Sequence, residues 1–270
     1  MVLVLVLSFL PGILWLVWFT RADRARPEPK RLVALVFFLG MLATLAAGLL
    51  NDRLAGALGL RHDRLRDLFL LFFLIVGPVE ETLKLLVVRA TIYRHREFDE
   101  PIDAFVYAAA AALGFASLEN LSYGAELGTG VLVMRAVLSV PGHVLFSALW
   151  AYGLAHRRFG KGSVLPWLAL AALSHGLYDF LVIGGGLVGG AVGVSAQLGQ
   201  ILTFVLGVVP LVAVLWLVLA RLIKQLQLQS AAAAATAPAP AAAAAAPSVR
   251  GPRRSVLLTV VGGGTRQVAQ

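Results

Sequence analysis

The stretch LFLLFFLIVGPVEETLKLLVV, residues 68–88, decides the fold class and carries the most unusual feature of the chain. It is long and apolar enough to cross a bilayer as a helix, yet it contains two adjacent acids, Glu80 and Glu81. An acid at bilayer depth costs about 3 kcal/mol to insert, so it persists only where it is paired, hydrated or used. The segment therefore predicts a membrane helix with a polar function inside the bilayer.

The composition of the whole chain indicates the same class. Of 270 residues, 59% are hydrophobic and 14% charged, and the mean hydropathy is +0.85, which is outside the range of soluble domains. The net charge of +9 comes from Lys and Arg in short clusters between apolar runs, where they set topology, so we expect no nucleic-acid partner. The absence of cysteine excludes a disulfide, a thiolate nucleophile and a Cys-based metal site.

Apolar segments of spanning length recur along the chain, and we predict an all-α, polytopic transmembrane helix bundle of about seven spans. The predicted spans are residues 2–20, 32–50, 68–89, 102–124, 131–156, 164–184 and 200–220. The first lacks a basic region before it and a cleavage site after it, so it is predicted as a retained span rather than a signal peptide. The glycine-rich residues 185–199 fit either an external loop or a re-entrant segment.

The distribution of Lys and Arg predicts the orientation. One set of loops holds most of them, which places the N-terminus outside and the C-terminus in the cytoplasm. The arginines of residues 53–66 weaken this pattern, and Arg135 is assigned to an opposite, external loop. Residues 1–224 form the predicted membrane domain, and residues 225–270 form a disordered, Ala/Pro-rich cytoplasmic tail.

The acids of the third predicted span have a basic neighbour. On a helix, Lys84 lies four residues after Glu80 and three after Glu81, so it can neutralise either one. Adjacent helix positions point about 100° apart, so we expect one glutamate to face a cavity and the other to tie the helix to a neighbour. A purely structural ion pair is the alternative for this cluster.

Three more polar clusters interrupt other apolar segments. They are Glu119 beside Asn120, His143, and His175 with Asp179 four residues later. That spacing lets the Asp179 carboxylate orient the imidazole or accompany it as a ligand. Two histidines with several acids on separate spans favour a site over isolated hydrogen bonds between helices.

The remaining polar residues narrow the chemistry. Asp103 fits a boundary or capping acid at least as well as a functional one. No Ser/His/Asp pattern stands out, because four serines stand where small packing residues are expected. These are Ser117, Ser139, Ser147 and Ser174. Carboxylates with imidazoles in a water-poor cavity suit a glutamate general base acting on water, with histidines stabilising an oxyanion or holding Zn²⁺. The alternative is a proton- or ion-coupled transporter or scaffold that uses the same acids.

Four motifs in order resemble one known family. They are the EExxK run of residues 80–84, the stretch FDEPIDAFVY to GFASLEN of residues 98–120, His143 followed by Phe146, and HGLYD of residues 175–179. Together they resemble the PrsW family of intramembrane proteases, which is similar to the larger CAAX-prenyl-protease and Abi group. The resemblance covers roughly residues 30–220.

The resemblance implies a multi-pass endopeptidase of the bacterial cell membrane that cuts a membrane-anchored protein, such as an anti-sigma factor. It implies Glu80 and Glu81 as catalytic glutamates, with His143 and His175 completing the site. Glu119 stands where the CAAX-protease relatives carry a histidine, which leaves two matched histidines for a metal rather than three.

From these residues we expect Glu80, with Lys84 four residues on, to activate water. His143 and His175 are expected to support the oxyanion or a Zn²⁺ ion, and Asp179 to orient His175. Glu119 and Asn120 would complete the polar wall.

Overall fold

The computed structural model describes residues 2–236, and over this range every regular element is a helix. The α-helices are α1 Val2–Phe19, α2 Lys30–Ala57, α3 Leu65–Leu70, α4 Gly77–Thr91, α5 Asp103–Leu127, α6 Thr129–Val137, α7 Ser139–Phe159, α8 Leu165–Ala191, α9 Ala196–Thr203 and α10 Val209–Thr236. A 3₁₀ turn, Thr20–Ala22, follows α1, and π-helical turns at Leu71–Val76 and Phe204–Val208 join α3 to α4 and α9 to α10. The predicted all-α class is confirmed.

Six helical segments of the described chain are long and apolar enough to cross a membrane. They are Val2–Ala22, Lys30–Ala57, Asp103–Leu127, Thr129–Phe159, Leu165–Ala191 and Ala196–Ala235. The predicted span at residues 68–89 is not among the six. It lies in the helical run from α3 to α4, which a π turn interrupts and which carries Glu80, Glu81 and Lys84.

Helix α5 is the centre of the bundle, and α1, α2, α4, α6 and α7 pack against it. Its alanine-rich half is fully buried, because small side chains let neighbouring backbones approach closely. A Cβ on Gly114 would lie 1.8 Å from the Phe37 carbonyl oxygen, and one on Gly40 would lie 2.2 Å from that of Ala111. The close contact of α2 and α5 therefore depends on glycine.

Glycines also bring α4 and α8 together. A Cβ on Gly77, the first residue of α4, would lie 2.3 Å from the Ala172 carbonyl oxygen of α8. In return, a Cβ on Gly176 would lie 2.5 Å from the Phe72 carbonyl oxygen in the π turn. This contact sets the third predicted span directly against the helix that carries His175.

The glycine-rich residues 185–199 are helical at both ends. Helix α8 continues to Ala191, a turn with Gly193 at φ +82° reverses the chain, and α9 packs back against α8. A Cβ on Gly189 would lie 2.6 Å from the Cα atom of Gly199, so the two helices meet backbone to backbone.

The end of α10 lies beyond the predicted end of the membrane domain. The predicted tail begins at residue 225, whereas α10 continues through Thr236 with Leu226 buried against the core. The helix therefore extends into the segment predicted as tail. The rest of that segment, residues 237–270, lies outside the described residues.

Candidate active site

Four helices contribute the residues that the sequence singled out, and these residues meet at one place. Helix α4 carries Glu80, Glu81 and Lys84, α5 carries Glu119 and Asn120, α7 carries His143, and α8 carries His175 and Asp179. All of them are buried except Glu119 and Asp179, which are partly exposed. Side chains separated by up to 99 positions in the chain (80 to 179) thus form a single polar cluster.

Glu81 is the most fully hydrogen-bonded member of the cluster. Its Oε1 accepts from Lys84 Nζ at 2.8 Å and contacts His175 Nδ1 at 3.0 Å. Its Oε2 accepts from Ser147 Oγ at 2.8 Å and from Trp150 Nε1 at 3.0 Å. With 0% exposure and every contact used inside the protein, Glu81 joins α4 to α7 and α8.

Glu80, the preceding residue, is almost free of partners. Its Oε1 accepts one long hydrogen bond from Asn51 Nδ2 at 3.5 Å, and its Oε2 is buried without any hydrogen-bond partner. Lys84 Nζ and His175 Nε2 lie 3.6 and 3.7 Å from that oxygen. A buried carboxylate oxygen in this state can accept from water, from a substrate or from a metal ion.

Lys84 holds the cluster together from inside the bundle. It is fully buried, and besides Glu81 it contacts His143 Nδ1 at 2.9 Å and lies 4.2 Å above the Phe115 ring. An ammonium group only donates, so His143 Nδ1 accepts in this arrangement. The other ring nitrogen, Nε2, then faces Glu119 Oε2 at 3.0 Å.

His175 is held by stacking and by acids on both ring nitrogens. Its ring stacks on Phe146, with centroids 4.7 Å apart and planes 15° apart. We expected Asp179 to orient this ring, and its carboxylate does lie 3.5 Å from Nε2. The contact of Nδ1 with Glu81 is shorter, at 3.0 Å, so Glu81 shares that role.

Arg135 is a member of the cluster that the sequence analysis placed wrongly in an external loop. It lies on α6, is 9% exposed, and donates to Glu119 Oε2 at 2.5 Å and to Asn120 Oδ1 at 2.6 Å. The guanidinium explains how a glutamate and an asparagine are tolerated here. The signal was available, because Arg135 is the one charge in an apolar run, the same anomaly that identified Glu80.

Two serines predicted as packing residues are polar contacts instead. Ser147 and Trp150 follow His143 by four and seven residues, so they share its face of α7 and reach Glu81. Ser139 Oγ lies 2.8 Å from the Tyr178 hydroxyl. Sequence reasoning passed over them because serine and tryptophan are also ordinary residues of packed membrane helices.

Comparison with known proteins identifies the family. Residues 28–217 match the model of the PrsW family of intramembrane metalloproteases. The chain belongs to the PrsW family. This membership confirms the resemblance inferred from the four motifs and makes the protein a multi-pass membrane peptidase.

Curated PrsW proteins from several bacteria are similar to the chain. Protease PrsW of Bacillus subtilis (strain 168) is 33% identical over 177 residues, which cover 64% of this chain and 79% of that protein. The one of Geobacillus kaustophilus (strain HTA426) is 34% identical over 177 residues, with 64% and 76% covered. That of Clostridioides difficile (strain 630) is 28% identical over 187 residues, with 66% and 78% covered. No solved structure matches the chain.

The PrsW family is one of metalloproteases, and the cluster fits a metal ion. Glu80, His143 and His175 each offer one ligand atom, and these atoms lie within 4.8 Å of one another. One oxygen and two imidazole nitrogens suit Zn²⁺. Glu80 would reach the ion through a water molecule on its buried oxygen that lacks a hydrogen bond, and His175 fits because its other nitrogen contacts a carboxylate, as in many metal-binding histidines. His143 would bind through Nε2, which faces Glu119 Oε2 at 3.0 Å, and because Lys84 donates to Nδ1 the Lys84–His143 pair would release one proton on binding.

Proposed function

We propose that this PrsW protein hydrolyses a peptide bond of a membrane-anchored protein, with Glu80 activating the attacking water. The observation that carries the proposal is the contrast between the two adjacent glutamates. Glu81 is saturated by hydrogen bonds within the bundle, whereas Glu80 keeps a buried oxygen without a partner beside His175. Only Glu80 has an oxygen left for a water molecule.

The chemical step follows from this geometry. Glu80 removes a proton from the water while the water oxygen attacks the carbon of the peptide carbonyl. Glu80 then delivers this proton to the nitrogen of the leaving amine as the C–N bond breaks. A bound divalent ion, which His143 and His175 would hold beside Glu80, supplies Lewis-acid polarisation. Lys84 and Glu81 are positioning residues, because they hold the rings of His143 and His175 and are themselves fully buried.

The exposure of the cluster indicates where water and substrate approach. The side chains of Glu119 and Asp179 are 19% and 21% exposed, whereas those of Glu80, His143 and His175 are 8% exposed or less. Glu119 and Asp179 therefore form the accessible edge of the site. A peptide segment leaving the membrane would enter past them, and an anti-sigma factor is the substrate class that the family resemblance implies.

The topology that we propose has seven spans in the bacterial cell membrane, with the N-terminus outside and the C-terminus in the cytoplasm. The span added to the six candidates is the third in chain order, from Leu65 to Thr91, and its 27 residues would extend about 40 Å as a helix. The Lys and Arg clusters before α2, after α4 and after α7 support the orientation. In this arrangement residues 1–224 are the catalytic membrane domain.

The proposal is tested with the purified full chain in detergent and a single-span reporter substrate. We expect the wild type to cut the reporter and Glu80→Gln to lose at least about a hundredfold in rate, the low end of what a general base contributes. Glu126→Gln is the matched control, because Glu126 is exposed on α5 outside the cluster. Proton flux in liposomes without any cleavage by the wild type would favour the transporter alternative and overturn the proposal.

A further inference from the structure

A second group of acids lies far from the active site. Asp23 and Glu28 belong to the connection between α1 and α2, and Asp103 is the first residue of α5. One carboxylate oxygen from each lies within 4.8 Å of those of the other two. Glu119 lies sixteen residues further along α5 than Asp103, or about 24 Å of helix. The two clusters are therefore separate.

Two of these carboxylates are oriented by hydrogen bonds that occupy one oxygen each. Asp103 Oδ2 accepts from the backbone N–H groups of Asp99 at 2.9 Å and Glu100 at 2.7 Å, which precede α5, so its side chain orders the preceding turn and does not cap the helix. Glu28 Oε2 accepts from the Tyr107 hydroxyl. These bonds engage Oδ2 of Asp103 and Oε2 of Glu28.

Asp23 supplies the observation that points to a ligand. It is 4% exposed, its Oδ1 accepts from the backbone N–H of Arg26 at 3.2 Å, and its Oδ2 is buried with no hydrogen-bond partner. The Arg26 guanidinium does not fill this gap, because it binds Asp99 and Glu100 at 2.6 Å each. Within residues 2–236, none of the three clustered acids forms an ion pair with Lys, Arg or His.

The acids of the cluster thus lack a cation in direct contact within the described part of the chain, and Arg26 offsets the charge of Asp23 only from a distance. Burial raises the pKa of Asp23. Burial also raises the pKa of Glu28, and this effect is larger than the lowering caused by the hydrogen bond from Tyr107. A bound cation would remove this penalty, and so would a proton shared between Glu28 and Asp103, which also interact with each other.

We propose that Asp23, Glu28 and Asp103 bind a hard divalent cation such as Mg²⁺ or Ca²⁺. All three donors are oxygens, which these ions prefer, whereas the active-site cluster mixes oxygen and nitrogen donors. Water would complete the coordination. The ion would fasten the α1–α2 connection to the beginning of α5, the central helix of the bundle, and this role is independent of the proposed catalytic mechanism.

The test uses Mn²⁺ as the probe on the full chain in detergent, after removal of bound metals with chelator. Electron paramagnetic resonance should detect one bound Mn²⁺ per chain, and Mg²⁺ or Ca²⁺ should displace it. The Glu80→Gln variant should still bind this Mn²⁺. Asp23→Asn should weaken this binding at least tenfold. Glu97→Gln, which removes an acid of the same region outside the cluster, should leave the affinity within twofold.

Thermal unfolding gives a second readout. Mg²⁺ should raise the unfolding temperature of the wild type and of Glu97→Gln but not that of Asp23→Asn. If Asp23→Asn does not fold, Glu28→Gln replaces it, because Glu28 is only half-buried. If Glu80→Gln binds no Mn²⁺, the second site does not exist and a proton shared between Glu28 and Asp103 accounts for the cluster, which overturns the proposal. The proposal is also overturned if the folded Asp23→Asn or Glu28→Gln variant binds Mn²⁺ as tightly as the wild type.

Discussion

Glu80 and Glu81 are neighbours on α4, yet their carboxylates have opposite hydrogen-bonding states. Glu81 accepts at both oxygens from α4, α7 and α8, and Glu80 has one oxygen without a hydrogen-bond partner. Because adjacent helix positions diverge by about 100°, Glu81 reaches the donors of α7, whereas Glu80 reaches only Asn51 of α2 with a long hydrogen bond. The two acids therefore have different functions, and their variants should fail in different ways.

Loss of the Glu81 carboxylate should destabilise the bundle rather than only slow the reaction. Glu81→Ala leaves the fully buried Lys84 without its shortest ion pair, and breaking a buried pair in this way costs about 3–5 kcal/mol. Glu80→Gln should cost much less stability, because the contacts of Glu80 with Asn51, Lys84 and His175 are all 3.5 Å or longer. Thermal unfolding in detergent measures both, and equal losses for the two variants would contradict the assigned roles.

Glycine 176 should be required because α8 has no room for a side chain beside the π turn. Gly176→Ala places a Cβ 2.5 Å from the Phe72 carbonyl oxygen, and overpacking of this kind costs about 1–3 kcal/mol. It should also displace the adjacent His175 and lower reporter cleavage. Gly190→Ala is the control, since a Cβ there meets nothing within 4 Å. Wild-type cleavage by Gly176→Ala would mean that the α4–α8 contact does not set the site.

Removal of the metal should abolish cleavage. We expect 1,10-phenanthroline to stop reporter hydrolysis, Zn²⁺ to restore it, and elemental analysis to find one Zn²⁺ that His175→Ala loses, because His175 belongs to the donor set. The measurement is the metal content of the pure protein alongside its rate. Full activity of a protein shown to be metal-free would leave Glu80 and the histidines as a metal-independent site.

Arg135 should be needed as a guanidinium and not only as a positive charge. Its two nitrogens donate to Glu119 and Asn120 at once, which a lysine ammonium on a flexible stem does not reproduce. Arg135→Lys should therefore lose about 1.5–3 kcal/mol of stability, the usual value of a charged hydrogen bond, and cleave more slowly. Arg66→Lys, at an exposed position, should match the wild type in both assays. Equal behaviour of the two variants would remove Arg135 from the site.

Much of the fold and the family could be predicted from the sequence, since both depend on local patterns. Apolar runs of spanning length predicted the helices, and four ordered motifs predicted the PrsW family. The hairpin of α8 and α9 could not be predicted, because it depends on Gly189 and Gly199 meeting across a turn. Arg135 was misplaced for a similar reason, since an arginine in a short apolar run fits a loop until its partner Glu119 is in view.

By itself, the sequence determined a helical membrane protein with acids and histidines in its apolar segments, because hydropathy is a property of one segment at a time, and the resemblance of its four motifs to the PrsW family identified it as a peptidase. The tertiary structure decided which glutamate keeps a carboxylate oxygen without a hydrogen bond. Glu80 and Glu81 are chemically identical and adjacent, so only the donors that α7 and α8 bring to Glu81 distinguish them. A hydrogen bond between helices depends on how the helices pack, and that packing follows from glycine contacts spread over the whole bundle.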